Sequence, residues 1–261
     1  MKYLRILNEL LKVNFSKTLI YRGHFYVETL NSLAWGGLAV ITIIILTSKV
    51  STVFGWTRNE LILLSAMVNV IYGILRILFD INFWAFSETV NTGKLDTVLL
   101  KPIDSQFQMS IWGIDFGGIM RIITAIILTI YLIFAFHFTV NPISIVTGIF
   151  FSVLGVTMLY SISFIFLTIT IWFSNLYNLM HLINTIIGAS RYPKEMYAGL
   201  ISPLFFFLLP IVLIIGTPTK ALINHLSFQD AFLLTCFTVV FFSISRVFWK
   251  FALRFYTSAS G

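Results

Sequence analysis

Charge is what this sequence has least of. Only 10% of its 261 residues are Asp, Glu, Lys or Arg, while 58% are hydrophobic. An ordinary soluble domain carries about 25% charged residues, so this chain has too few to cover a soluble surface. Its one cysteine, Cys236, sits in an apolar run, which excludes an intrachain disulfide and a thiolate metal site. Residues 1–23 carry charges throughout and hold no compact apolar stretch, so they do not read as a cleavable secretory signal. Catalytic signatures are missing too. Gly93-Lys94 is the only Gly-Lys pair, with Glu88 five residues before the glycine and Leu95 where Ser or Thr is needed, so there is no Walker A phosphate loop. HExxH, GxSxG and paired membrane carboxylates are also absent. His24, His137, His181 and His225 are scattered at no ligand spacing, so no metal site is expected.

What is present is apolar sequence in long runs. Segments 33–46, 122–136 and 145–166 approach the ~20 residues that cross a hydrocarbon core about 30 Å thick. The pattern predicts an all-α integral membrane protein of about six transmembrane helices. Spans are expected at 26–46, 60–79, 117–137, 145–167 and 231–247, with a further crossing inside 174–227. Two readings of that last stretch stay open. Either 174–190 is a cytoplasmic helix before a plain span at 200–215, or 174–190 crosses and 192–215 is a re-entrant pair broken by Pro203 and Pro210. Trp56, in the connection 47–59, reads as an interface anchor. Arg121, one turn inside its span, is placed to snorkel to the headgroups.

Charge placement orients the chain. Lys2, Arg5, Lys12, Lys17, Arg22, Arg76, Lys94, Lys101, Arg246, Lys250 and Arg254 fall on one side if the amino terminus is inside, against Lys49, Arg58 and Lys220 outside. Both termini are therefore expected in the cytoplasm, in a multi-pass protein of the cell membrane. The net charge of +7 then faces anionic lipids, and no nucleic acid is expected. Residues 1–16 read as an amphipathic interfacial helix, with Tyr3, Leu4, Ile6, Leu7, Leu10, Leu11 and Val13 on one face and Arg5, Glu9 and Lys12 opposite.

A charged island at 87–105 interrupts the apolar runs. Within it, Gly93 ends one helix, Lys94 to Leu100 form a short second one, and Pro102 stops it. Leu95, Val98 and Leu99 would share a face, with Asp96 and Lys101 beside them, a rod suited to a groove on a partner. Polar residues in the spans mark either a path or interhelical hydrogen bonds. The candidates are Glu28, Asn31, Asn69, Asn178, His181 and Asn184, the last three recurring at three-residue steps. The Gly36-Gly37 pair and Gly148/Gly155 read as close-packing sites.

The motif Gly93-Lys94-Leu95-Asp96-Thr97-Val98-Leu99-Leu100-Lys101-Pro102-Ile103 resembles the G-x-L-D-x-x-L-L-x-P loop of a subgroup of the ABC-2 type permease family. Arg191-Tyr192-Pro193, followed by Pro210 and Pro218, is similar to its R-Y-P segment. The resemblance implies an export permease that pairs with a second permease, identical or paralogous, and is driven by a separate ABC ATP-binding subunit. ATP and magnesium would sit on that subunit, with no cofactor and no catalytic residue in this chain. It implies an interfacial helix at 1–24, one transmembrane permease domain at 25–256 with a cytoplasmic coupling loop at 80–108, an extracellular re-entrant segment at 192–216, and a tail at 257–261. Glu88, Gly93, Lys94, Leu95, Asp96, Val98, Leu99, Leu100, Lys101 and Pro102 would form the docking loop. An ion-coupled secondary carrier and a non-transporting membrane scaffold stay open beside this reading.

Overall fold

The structure is a computed structural model that describes residues 2–49, 51–173, 176, 178–197 and 202–257. It is an all-α membrane protein. Among the described residues, five helical segments are long and apolar enough to cross a bilayer: Arg22–Leu46, Arg58–Asn91, Phe116–Ala135, Pro142–Ile171 and Phe228–Ala252. Helix α1 (Lys2–Ile20) leads into α2 (Arg22–Leu46) with only Tyr21 between them. α1 is longer than the predicted 16 residues, and only Asn14 is buried in it. Ile6, Leu7 and Leu10 are half-buried while Leu4, Leu11 and Val13 stay exposed, which suits a helix whose apolar side meets lipid.

The connection after α2 is a two-stranded hairpin, β1 (Thr52–Val53) with β2 (Trp56–Thr57). Phe54 and Gly55 turn it with positive φ at both positions. Trp56 is not a lipid anchor. It is 4% exposed and donates Nε1–H to Glu195 at 2.9 Å, because the hairpin folds it back onto the bundle. Thr57 and Glu60 then form a capping box that starts α3 (Arg58–Leu75).

α3 does not end at the expected boundary near 79. It passes through a π turn at Arg76–Asp80 into α4 (Ile81–Asn91). The cause is an inserted donor: the Asp115 amide takes the Ile77 carbonyl at 3.0 Å, which disturbs the ladder. Phe83, Phe86 and Val90 then keep a buried helical face. At 1.5 Å per residue the combined helix is about 50 Å long, well beyond a 30 Å core. It is therefore about 20 Å longer than one crossing requires.

α7 (Ile119–Ala135) packs on α3 and α2, whereas α8 (Pro142–Thr168) packs on α10 (Ser202–Leu222) and α11 (Phe228–Ala252). Asn141 caps α8 in a second capping box, with Pro142 at its first position. Within 174–190, where either a cytoplasmic helix or a crossing is expected, the described residues form a ten-residue helix, α9 (Leu179–Gly188), followed by 3₁₀ turns at Ala189–Arg191 and Lys194–Tyr197. α10 runs unbroken through Pro210 and Pro218. A proline removes the hydrogen bond to the residue four before it, so Pro218 frees the Ile214 carbonyl. A Cβ at Gly155 would lie 2.6 Å from that oxygen, so the missing side chain is what lets α8 close on it.

Replacing Gly155 by Ala should therefore lower stability by about 1–3 kcal/mol, the usual cost of overpacking. Gly148→Ala meets Leu222 only at 3.4 Å and should be close to neutral. Thermal unfolding of the two variants in one detergent checks the contrast.

Candidate functional site

The charged end of the bundle is built as a helical hairpin bolted to two spans. α4 ends at Asn91, and Gly93 turns the chain with φ +74°, a conformation that costs a glycine little. α5 (Leu95–Leu99) follows, then Pro102, then α6 (Ser105–Ile111). As expected, the motif makes a turn, a short helix and a stop. The expected shared face is corrected: Leu95 and Val98 are buried with Phe86, Val90 and Trp249, while Leu99 is 40% and Leu100 85% exposed. α5 has barely more than one turn, so one edge covers the core and its end points away. Glu88 and Lys94 pair at 2.7 Å on the outside, Asp96 is half-buried, and Lys101 sits 4.2 Å over the Trp112 ring.

α6 is the bolt. Asp104 caps it, accepting the Phe107 amide at 3.0 Å, and also takes both outer nitrogens of Arg246 from α11. Gln106 accepts from Arg246 at 3.1 Å and donates to the Tyr160 hydroxyl of α8 at 3.0 Å. Trp249 of α11 donates to the Ser105 hydroxyl at 3.0 Å. Asn82 of α4 exchanges two hydrogen bonds with the Gly113 backbone, at 2.8 and 2.7 Å. Arg246 holds the Asp104 carboxyl below its ordinary value of 3.8. Sequence reasoning missed this clamp because its partners are 142 residues apart and neither sits in a motif.

α1 rests on the same unit. Tyr3 meets Phe107 with ring centres 5.1 Å apart, Phe15 meets Phe116 at 5.6 Å, and Asn14 donates to the Trp112 carbonyl at 3.2 Å. Arg5 is exposed, and Glu9 and Lys12 pair with each other at 2.9 Å.

The six polar span residues do not form one line. Glu28 pairs with Arg76, which also holds Asp115 at 3.1 Å. Glu28 and Asn31 line an open cavity of about 770 Å³ with Lys17, His24, Asp80 and Trp84. Asn69 is committed to packing: it donates to the Gly36 carbonyl and accepts from Arg121 at 2.9 Å. Arg121 thus turns toward α3 and does not snorkel, because Asn69 offers it a partner at its own depth. Of the paired glycines, a Cβ at Gly36 would meet Asn69 at 2.8 Å, whereas Gly37 faces open space. His181 and Asn184 of α9 and the preceding Asn178 are all exposed, with His181 on Trp84 at 5.1 Å.

The opposite end carries a second ion network. Lys194 pairs with Asp230, and Lys220 pairs with Glu195 at 2.8 Å beside Trp56. Lys194 and Glu195 therefore lie with Trp56, at the far end of α3 from Gly93.

The ABC-2 family transporter protein matches residues 33–260, and the chain belongs to that family. It is a multi-pass membrane component of a transporter, of the kind that works with an ABC ATP-binding partner. No curated protein and no solved structure matches it.

Asn caps a helix as well as Asp does, so Asp104→Asn removes the ion pair alone, whereas Asp104→Ala removes the cap too and should cost about 1 kcal/mol more. The lowered carboxyl stabilises the fold above pH 3.8, and this is lost as pH falls through its folded-state value. A stability profile against pH should lose that acid limb in Asp104→Asn.

Proposed function

We propose that this chain is the transmembrane permease subunit of an ATP-driven ABC-2 exporter. It pairs with a second permease, identical or paralogous, and is powered by a separate ATP-binding subunit that carries the ATP and magnesium. That subunit docks on the outward side of residues 88–102 and on the exposed face of α1, with both termini in the cytoplasm. The single observation behind this reading is the hairpin itself. It presents Leu99, Leu100, Glu88 and Lys94 outward while Asp104, Ser105 and Gln106 lock it to α8 and α11. A push on the hairpin is then carried as rigid-body motion into two spans, and closing of the paired ATP-binding subunits supplies the push. The polar exposed face Asn178, His181 and Asn184 supports a second permease or a wet path beside α9, since such groups at bilayer depth need polar company.

We also read residues 192–216 as re-entrant from the outside. Support comes from the 2.8 Å ion pair of Glu195 with Lys220, which brings the two flanks of that segment to one place. Residues 198–201 lie outside the described residues. Membrane-impermeant labelling of a cysteine at Tyr192, in a Cys236→Ala background, should proceed from outside; reaction only from the cytoplasmic side removes this topology.

Leu100→Glu separates docking from folding. At 85% exposure it should leave the chain folded, yet weaken copurification with the ATP-binding subunit about tenfold or more, as removal of an anchor does. Leu95→Glu, which buries a charge, should collapse the hairpin itself. Undiminished assembly and export by the Leu100→Glu complex would remove the docking proposal.

A further inference from the structure

α7 and α8 are joined by a short connection and both touch α3, but α8 packs mainly on α10 and α11, and between α7 and α8 lies an open groove of about 1130 Å³. Its floor is α3, through Met67, Val70 and Ile74, continued by Leu78 of the π turn, and its walls include Ile130 and Ile133 of α7 and Ile149 and Val153 of α8. From Ile145 to Thr157 it follows α8 for about 18 Å, slightly more than one leaflet of a 30 Å hydrocarbon core. The hydroxyls along it are spent on their own helices: Thr129 donates to Ala125, Ser152 to Gly148 and Thr157 to Val153, at 2.7–2.8 Å. Apart from His137 at the end away from the clamp, the groove thus offers hydrocarbon and almost no hydrogen bonds.

At the clamp end the character changes. Phe79, Val156 and Thr157 also border a second cavity of about 360 Å³, whose far wall is Asp104, Gln106, Tyr160 and Arg246. Long apolar groove and polar niche are therefore continuous. Arg246 uses three N–H bonds on Asp104 and Gln106 and keeps two donors without a described protein acceptor.

We infer that this groove and niche hold one anionic phospholipid of the clamp-side leaflet, its acyl chains between α7 and α8 and its phosphate at Arg246. Length, apolar lining and the two unspent N–H donors of Arg246 favour this occupant over a helix of another chain. Such a lipid would brace the clamp through Arg246.

The test uses the purified full-length chain, stripped of lipid in detergent and offered phosphatidylglycerol or phosphatidylcholine, with bound lipid counted by native mass spectrometry. Phosphatidylglycerol should be retained at one per chain and about tenfold better than phosphatidylcholine, the scale of a charge-assisted contact. Ile149→Trp and Ile130→Trp, exposed residues on opposite walls, each fill the groove and should abolish retention while the elution profile stays that of folded protein. Two walls guard against one variant failing to fold. Equal retention of both lipids overturns the inference, as does retention that survives groove filling. So does cross-linking of a cysteine at Ile149 to a second copy of the chain.

Discussion

The fold depends most on the bidentate contact between Asp104 and Arg246. A carboxylate and a guanidinium at the edge of the bilayer are costly to leave unpaired, and each here has its charge answered in a fixed geometry. The pair joins the first turn of α6 to the last turns of α11, and Gln106 extends it to α8. Buried Leu95 and Val98 hold the hairpin at 93–103 to the core, and the pair fixes it against α11. With the pair, the hairpin is the exposed end of a rigid unit whose other end lies inside the membrane.

The same rule places the other polar groups. Arg76 answers Glu28 and Asp115 at the π turn, Arg121 answers Asn69, and Lys220 and Lys194 answer Glu195 and Asp230. Each contact ties helices that apolar packing alone would hold weakly, because lipid tails are as apolar as the helices. The tightest apolar seam is set differently, by removal of side-chain bulk: Gly155 of α8 faces the carbonyl that Pro218 releases in α10. The exposed face of α9 is the unanswered remainder, which is why a neighbour is proposed there.

Much of this was legible in the sequence, and the limits are physical. Apolar run length gave the spans at Arg22–Leu46, Phe116–Ala135, Pro142–Ile171 and Phe228–Ala252 within a few residues, because bilayer thickness fixes that length. Gly93 and Pro102 gave the short helix, since both act locally. The continuation of α3 into α4 was not legible, because it rests on Phe83 and Phe86 finding Phe164 and Trp249 far along the chain. Trp56 failed for the same reason: its partner Glu195 is remote. The motif at 93–103 marked the right place, but which leucines point outward is decided by tertiary packing.

The central claim is that the hairpin moves with α11 as one body. Spin labels at exposed Thr97 and Val247, in the complex with the ATP-binding subunit, measure it by pulsed dipolar spectroscopy. The account predicts one narrow distance that is unchanged between nucleotide-free and ATP-bound states. A distance that broadens or shifts on ATP binding would mean the hairpin slides past the span, and would contradict it.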